Sequence, residues 1–135
     1  EALRLTLEEG LEARVARHRR HSNALKAGLE AMGLTLAVPD AERLPQLTSV
    51  NIPDGVDDAK LRSELLRDFG LEIGGGLGPL KGKTWRIGLM GAGATRNHVA
   101  TCLSALLAAL GTQGVAPKGD PLSAAAEAYA TQRAQ

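Results

Sequence analysis

The sequence predicts an α+β domain: a small, largely antiparallel sheet of three to four strands, covered on one face by helices. Segments with a helical repeat of apolar residues alternate along the chain with short β-prone runs. Turn residues such as Pro53-Asp54-Gly55 close these runs, and no segment is repeated within the chain. With 135 residues, the chain is long enough for one domain with a modest core.

Composition narrows the classes of function. Hydrophobic residues make up 44% of the chain but aromatic residues only 2%, so Leu, Ala and Val must provide nearly all of the packing. A net charge of +1 argues against a nucleic acid or a membrane surface as partner. Cys102 is the only cysteine, so no internal disulfide can form. Because the chain shows no signal peptide and no apolar run of the ~18 residues that span a bilayer, we expect a cytoplasmic protein.

Two helical patterns open the chain. Thr6 to Glu9 matches a capping box, but Gly10 follows at once, so residues 1–9 are equally well explained as the end of a preceding helix. A helix of about six turns follows and ends at Gly33. Its apolar stripe consists of Leu11, Val15, His18, Ser22, Leu25, Leu29 and Met32. We interpret the basic residues on its other faces as solvated: Arg14, Arg17, Arg19, Arg20, His21 and Lys26.

Four β-prone runs and two further helices come next. Residues 34–38 and 47–52 form the first two runs, and Asp57 or Asp58 caps a helix that ends at Gly70. Residues 71–73 begin a strand that leads into a glycine-rich loop, and residues 84–90 form the next strand. Thr95 then caps a helix that Gly111 stops. The predicted domain therefore covers residues 1–111.

The last part of the chain is predicted as an appendage of this domain. Residues 112–119 form a linker that is rich in glycine, and residues 120–135 form a helical tail. Asp120 and Pro121 supply an N-cap and a first-turn proline for this helix. Leu122 and Tyr129 are the residues available to anchor it.

Arg86 is the residue that points most clearly to a binding function. In the strand 84–90, Trp85, Ile87 and Leu89 share one face, which we expect to lie under the helices. Arg86 therefore lies on the opposite face, beside Gly88, where the absence of a side chain allows a ligand to come close. The fork of a guanidinium group suits bidentate binding of a carboxylate. The alternative is an arginine on a solvated sheet face.

Other motifs are incomplete. A nucleotide-phosphate loop before Gly82-Lys83-Thr84 lacks its first glycine, and the motif leads into a strand instead of a helix. Gly91-Ala-Gly93 resembles a dinucleotide-binding turn, but Arg96 occupies the position of the third glycine. This nucleotide reading remains a third alternative.

The sequence also predicts no metal site. His18, His21 and His98 lack further ligands at a suitable spacing, and we expect each at the surface or at its boundary. Cys102 lies on an apolar stripe and is expected to pack in the core.

Three segments together resemble a known family. They are Phe-Gly-Leu-Glu-Ile-Gly-Gly-Gly-Leu-Gly-Pro at 69–79, Gly-Lys-Thr-Trp-Arg-Ile-Gly-Leu-Met-Gly at 82–91, and Ala-Thr-Arg-Asn at 94–97. The combination resembles the C-terminal, small domain of class V, fold-type-I aminotransferases that use pyridoxal 5′-phosphate. The nearest type is the alanine–glyoxylate and serine–glyoxylate group. The resemblance runs to about Leu110 and does not include the residues from Thr112 onward.

This resemblance implies roles for particular residues. Arg86 would bind the α-carboxylate of the substrate, and Gly74, Gly75, Gly76 and Gly78 would border the active site. The lysine that carries the cofactor belongs to the large domain in this family, so no catalytic residue is expected in this chain. Lys81 and Lys83 are not candidates for that role.

The resemblance also implies an activity for a longer protein. The full-length enzyme would be a homodimer with pyridoxal 5′-phosphate, and would transfer an amino group between a small amino acid, alanine or serine, and a 2-oxo acid such as glyoxylate. The present chain would be an excised or proteolysed fragment that lacks the large domain, holds no cofactor and is inactive alone. The alternative is a free-standing α+β module that binds another protein and has no catalytic activity.

Overall fold

A three-stranded antiparallel sheet and five α-helices form residues 1–132, the part of the chain that the computed structural model describes. The elements are α1 (Ala2–Glu9), α2 (Leu11–Ala31), β1 (Leu47–Asn51), α3 (Asp58–Phe69), β2 (Gly74–Gly75), β3 (Thr84–Gly88), α4 (Arg96–Thr112) and α5 (Pro121–Thr131). The sheet order is β1–β3–β2, so the strand that carries Arg86 is central. The predicted α+β class and the small antiparallel sheet are confirmed. Residues 133–135 of the predicted tail lie outside the described residues.

The buried face of the sheet is the one that the alternation in β3 predicts. Trp85, Ile87 and Leu89 are 0%, 3% and 4% exposed. They belong to one core with apolar side chains of the helices, including Leu25, Leu29, Leu61, Leu65, Val99, Leu103 and Leu106. The indole Nε1 of Trp85 donates a hydrogen bond of 2.9 Å to the Asp58 carboxylate in the first turn of α3. The helices therefore cover one face of the sheet, as expected.

Of the four predicted strands, one is shorter than expected and one begins later. Residues 34–38 pair with β1 through the bridge Leu36 to Val50 and two backbone hydrogen bonds of 2.9 Å, before the chain turns at Pro39 into a short 3₁₀ helix. Residues 71–73 do not pair with β3, and that pairing begins at β2. The reason lies at the end of α3, where Gly70 is left-handed (φ 61°) and the Leu71 N–H is used in the helix cap, bonding Leu65 O.

Helix α1 is joined to α2 through a single residue. Gly10 has φ 82° and ψ 140°, which breaks the helical path between them. Thr6 lies inside α1, where its hydroxyl bonds Ala2 O, so helix α1 does not begin at the capping-box motif. No residue of α1 is buried, and Leu11 and Val15 at the start of α2 are exposed as well. The predicted apolar stripe of α2 is therefore buried only from His18 onward.

The C-terminal helix packs tightly on the domain. A Cβ on Gly28 of α2 would lie 2.4 Å from a methyl carbon of Leu103 in α4 and 2.9 Å from Pro121 O in α5. Tyr129 and Ala125 are buried, whereas Leu122 is 42% exposed and does not anchor the helix. The division at residues 111 and 119 stays a prediction.

None of the helices within residues 1–132 combines the length and the apolar character that crossing a bilayer requires.

Candidate functional site

The guanidinium group of Arg86 lies flat against the neighbouring strand. Its Nε donates a hydrogen bond of 2.8 Å to Gly75 O. A Cβ on Gly74, which pairs with Arg86 in the sheet, would lie 3.2 Å from Nη2 and 3.5 Å from Cζ. The missing side chain of Gly74 thus makes room for the group, and the Gly75 carbonyl fixes its plane.

Within residues 1–132 the two terminal nitrogens of Arg86 have no hydrogen-bond partner, and no acidic group forms an ion pair with it. Arg86 is partly buried on the sheet face that the helices leave open. A planar fork held at Nε with both Nη groups free is suited to bind a carboxylate through two parallel hydrogen bonds. Because the helices do not cover this face, the fork is open to a ligand or to another domain.

The glycine loop beside Arg86 is closely packed. Gly76 is buried, and its N–H donates 2.8 Å to Thr84 O. A Cβ there would lie 2.0 Å from Leu80 O and 2.6 Å from Thr84 Oγ1. Gly78 is exposed with φ 53°, a left-handed conformation that favours glycine. These glycines shape the rim next to Arg86; their place at an active-site border stays a prediction.

Helix α2 holds the turn that follows β3. Arg17 Nη1 donates 2.9 Å to both Gly91 O and Ala94 O. His18 is buried; its Nε2 accepts the Gly91 N–H at 3.0 Å, which leaves Nδ1 protonated to donate to Arg14 O at 2.7 Å. The solvated interpretation of Arg17 and the boundary position expected for His18 are therefore wrong. The residues of this turn lie more than 70 positions away, so helical periodicity could not reveal the contact.

Ion pairs support both sides of the site. Arg17, with a smaller contribution from Arg14, holds the pKa of the Glu9 carboxyl at about 2. On the other side, Arg62 forms two hydrogen bonds to Asp58 and lowers the pKa of that carboxyl, and the Trp85 indole lowers it further. Asp58 thus joins the start of α3 to Trp85 of β3, the residue that precedes Arg86 in the sequence. The sequence pointed to Glu9 only as part of a capping box and to Asp58 only as a possible helix cap; the cap is Asp57.

The remaining candidates offer no chemistry of their own. Cys102 is buried, and burial raises the pKa of its thiol to about 12, so it packs in the core as expected. His98 is exposed and contacts Thr95 Oγ1 at 2.9 Å. Within residues 1–132 no group of His, Cys, Asp or Glu side chains could hold a metal ion.

The turn Gly91–Gly93 is closed by protein groups. Gly91 gives its N–H to His18 and its carbonyl to Arg17, so these groups are already used. In a dinucleotide-binding turn, free backbone N–H groups have to point at the pyrophosphate. The nucleotide reading therefore has little geometric support.

The lysines next to the site do not fit the role of a cofactor-binding lysine. Lys81 and Lys83 are exposed in the turn between β2 and β3. An amine that forms a covalent bond to a cofactor is activated by a desolvated pocket or a neighbouring cation. Among residues 1–132 neither lysine has such surroundings, because both amines are solvated.

Comparison with known proteins identifies the class. No protein-family model matches the chain. It is 49% identical over 110 residues to (S)-ureidoglycine–glyoxylate transaminase of Bacillus subtilis, which covers 82% of this chain and 26% of that protein. It is 48% identical over 111 residues to alanine–glyoxylate aminotransferase of Callithrix jacchus, covering 82% and 27%.

Solved structures agree with these relatives. Ureidoglycine–glyoxylate aminotransferase of Bacillus subtilis superimposes with a TM-score of 0.90 at 45% identity, over 94% of this chain and 33% of that one. Pyridoxamine–pyruvate aminotransferase of Mesorhizobium loti gives a TM-score of 0.91 at 36% identity, over 96% and 34%. Such coverage includes at least part of residues 112–135, which the sequence resemblance left out.

The chain is therefore homologous to the small C-terminal part of class V aminotransferases, and its fold is that of an aminotransferase small domain. Within that class, the relatives that it matches are of the alanine–glyoxylate and ureidoglycine–glyoxylate types. It spans only about a quarter to a third of their length.

Proposed function

We propose that this chain is the C-terminal domain of an aminotransferase that uses pyridoxal 5′-phosphate, and that Arg86 binds the α-carboxylate of the substrate. The full-length enzyme transfers an amino group between a small amino acid, alanine or serine, and a 2-oxo acid such as glyoxylate. It is a cytoplasmic homodimer, and the large domain supplies the cofactor and its lysine. The chain alone is inactive.

One observation carries this proposal. Among residues 1–132 nothing pairs with the terminal nitrogens of Arg86, which lies on an open sheet face, held at Nε by Gly75 O, in a domain homologous to aminotransferase small domains. Every amino acid and 2-oxo acid substrate carries a carboxylate, so one fixed guanidinium serves both halves of the exchange. Binding the carboxylate in a fixed place orients the reacting carbon against the cofactor.

The exposed apolar residues near this face support a missing partner domain. Met90 and Leu77 are 62% and 66% exposed, and Leu47, which pairs across from Gly88, is 39% exposed. Leu11, at the start of α2, is 70% exposed. Clusters of large exposed apolar side chains mark surfaces that another protein part covers. The relatives are about three times as long as this chain, so they contain a further part that could cover these residues.

The test is Arg86→Ala in the full-length protein. Hydrogen bonds to charged groups contribute about 1.5–3 kcal/mol, so KM for the amino acid should rise at least about tenfold. The absorbance of the bound cofactor should persist, because its ligands lie elsewhere. Arg67→Ala is the matched control, since Arg67 is exposed and binds only its neighbour Asp68. An unchanged KM in Arg86→Ala would refute the assignment.

A second candidate is a free-standing module that binds another protein through the same face. The exposed leucines support this module as strongly as they support a domain whose large partner domain is missing. Sedimentation of the 135-residue chain separates the two. A monomer without self-association supports the module, whereas association through the uncovered apolar face supports a domain that has lost its large partner.

A further inference from the structure

Glu9 connects helix α1 to the turn that follows β3. Within residues 1–132, the side-chain hydrogen bonds from α1 to residues that follow it all involve Glu9. Its carboxylate receives Arg17 Nε and Nη2, the latter at 2.9 Å, and Arg14 Nη1 at 2.8 Å. The same Arg17 guanidinium bonds the two carbonyls of the turn after β3. One arginine thus links helix α1 to the end of the strand that carries Arg86.

Little else fixes the direction of α1. None of its residues is buried, and its backbone joins that of α2 at Gly10, which leaves the helical path. A cleft of about 320 Å³ opens beside it, between Thr6 and Leu11 on one side and Pro45, Gln46 and Met90 on the other. Without packing in that cleft, the Glu9–Arg17 contact is the main restraint on the angle of α1.

The link is rigid at its other end. The turn is also held by His18, which accepts the Gly91 N–H, and the Leu89 N–H extends the sheet ladder by bonding Gln46 O at 2.9 Å. Arg86 itself is paired on both sides, with Ser49 and with Gly74. The position of Arg86 is therefore fixed relative to Arg17. Because Glu9 bonds Arg17, the position of α1 is fixed relative to Arg86 as well.

We propose that Glu9 and Arg17 are positioning residues, whose contact sets the angle between α1 and the strand that carries Arg86. This inference rests on the proposed function, in which the large domain precedes α1 and holds the cofactor. The substrate must then touch both parts at once, with its carboxylate on Arg86. A change in the angle of α1 displaces Arg86 from the carboxylate of a substrate that is held at the cofactor, so the loss falls on substrate binding.

The test uses the full-length enzyme and three single variants. Arg17→Met removes the donors but keeps the length of the side chain, and should raise KM for the amino acid about three- to tenfold. Glu9→Gln cuts the ion pair and leaves the bonds of Arg17 to the turn, so KM should rise even though the fold of the turn is intact. Arg19→Met is the control, an exposed neighbour on α2. In all three, kcat should stay within about twofold and the cofactor absorbance should persist.

The double variant separates positioning from general weakening. Because Glu9 and Arg17 act through one contact, Glu9→Gln should add nothing to the KM of Arg17→Met. Wild-type KM in both single variants, or an independent additive effect, overturns the proposal. Arg86→Ala in the same assay distinguishes failure of the positioning role from failure of the proposed function. If Arg86→Ala raises KM while Glu9→Gln and Arg17→Met do not, only the positioning role fails. If Arg86→Ala leaves KM unchanged, the proposed function fails.

Discussion

At the scale of the single residue, Gly74 decides how closely the guanidinium of Arg86 can lie on β2. A Cβ there would lie 3.2 Å from Nη2, closer than ordinary van der Waals contact, and 3.5 Å from Nε and Cζ. The group would have to move by a few tenths of an ångström, which strains its bond to Gly75 O. Glycine is thus favoured at this position by the side chain across the sheet and not by the backbone, since Gly74 has no left-handed φ.

We expect Gly74→Ala to impair substrate binding more than stability. KM of the full-length enzyme for the amino acid should rise by about two- to fivefold, because the fork is displaced but still present. The urea midpoint should change little, since the strand pairing is kept. Gly111→Ala is the control, because a Cβ there meets no atom within 4 Å. Equal KM values for the two variants would show that Gly74 does not shape the site.

At the scale of the element, Asp58 joins helix α3 to strand β3. Replacing it by Ala leaves the Nε1–H of the fully buried Trp85 without a partner, which costs about 1–3 kcal/mol. Asp58→Asn is the matched variant, because its amide oxygen can still accept that bond while the ion pair with Arg62 is lost. Urea unfolding at neutral pH should therefore rank wild type, Asn and Ala in order of decreasing stability.

The pH dependence follows from the lowered pKa of Asp58. Arg62, first, and then Trp85 hold it below the ordinary 3.8. A carboxyl whose pKa is lower in the folded state contributes stability above its unfolded pKa and loses it as the pH falls through the folded one. The advantage of wild type over Asp58→Asn should be constant above pH ~5 and shrink below pH ~4. A constant difference down to pH ~2 would contradict the role of this ion pair.

The elements that local chemistry determines were predictable. The alternation in β3 predicted which side chains are buried, and the caps Thr95 and Asp120 begin α4 and α5 as expected. The absence of a strand at residues 71–73 was not predictable, because a β-prone composition does not show that Leu71 uses its N–H in a helix cap. Arg86 could be singled out from its strand position, but its partner Gly75 O and the bonds of Arg17 depend on tertiary geometry.

At the scale of the whole molecule, α5 packs against α2 and α4. Tyr129 is 4% exposed; its hydroxyl is 2.7 Å from His21 Nδ1, and Arg96 lies over its ring at 4.4 Å. The Lys118 N–H bonds Met32 O, which holds the preceding segment against the end of α2. Such contacts are those of an integral part of a core, so residues 115–135 should contribute strongly to stability.

Removing the residues after Gly114 should destabilise the protein. Losing one large buried aromatic side chain costs about 3–5 kcal/mol, and the full-length enzyme should lose at least this much in urea unfolding.

The pKa of His21 offers a second measurement on the same truncation. It is lowered mainly by burial, and further by the charges of Arg20, Arg17 and Arg96. Uncovering His21 should therefore raise its pKa towards 6.5, as measured by NMR titration. Tyr129→Phe, which removes only the hydroxyl, should leave most of the stability and the burial of His21 in place. A truncated protein that keeps both its stability and the low pKa of His21 would show that residues 112–135 are a linker and a dispensable tail.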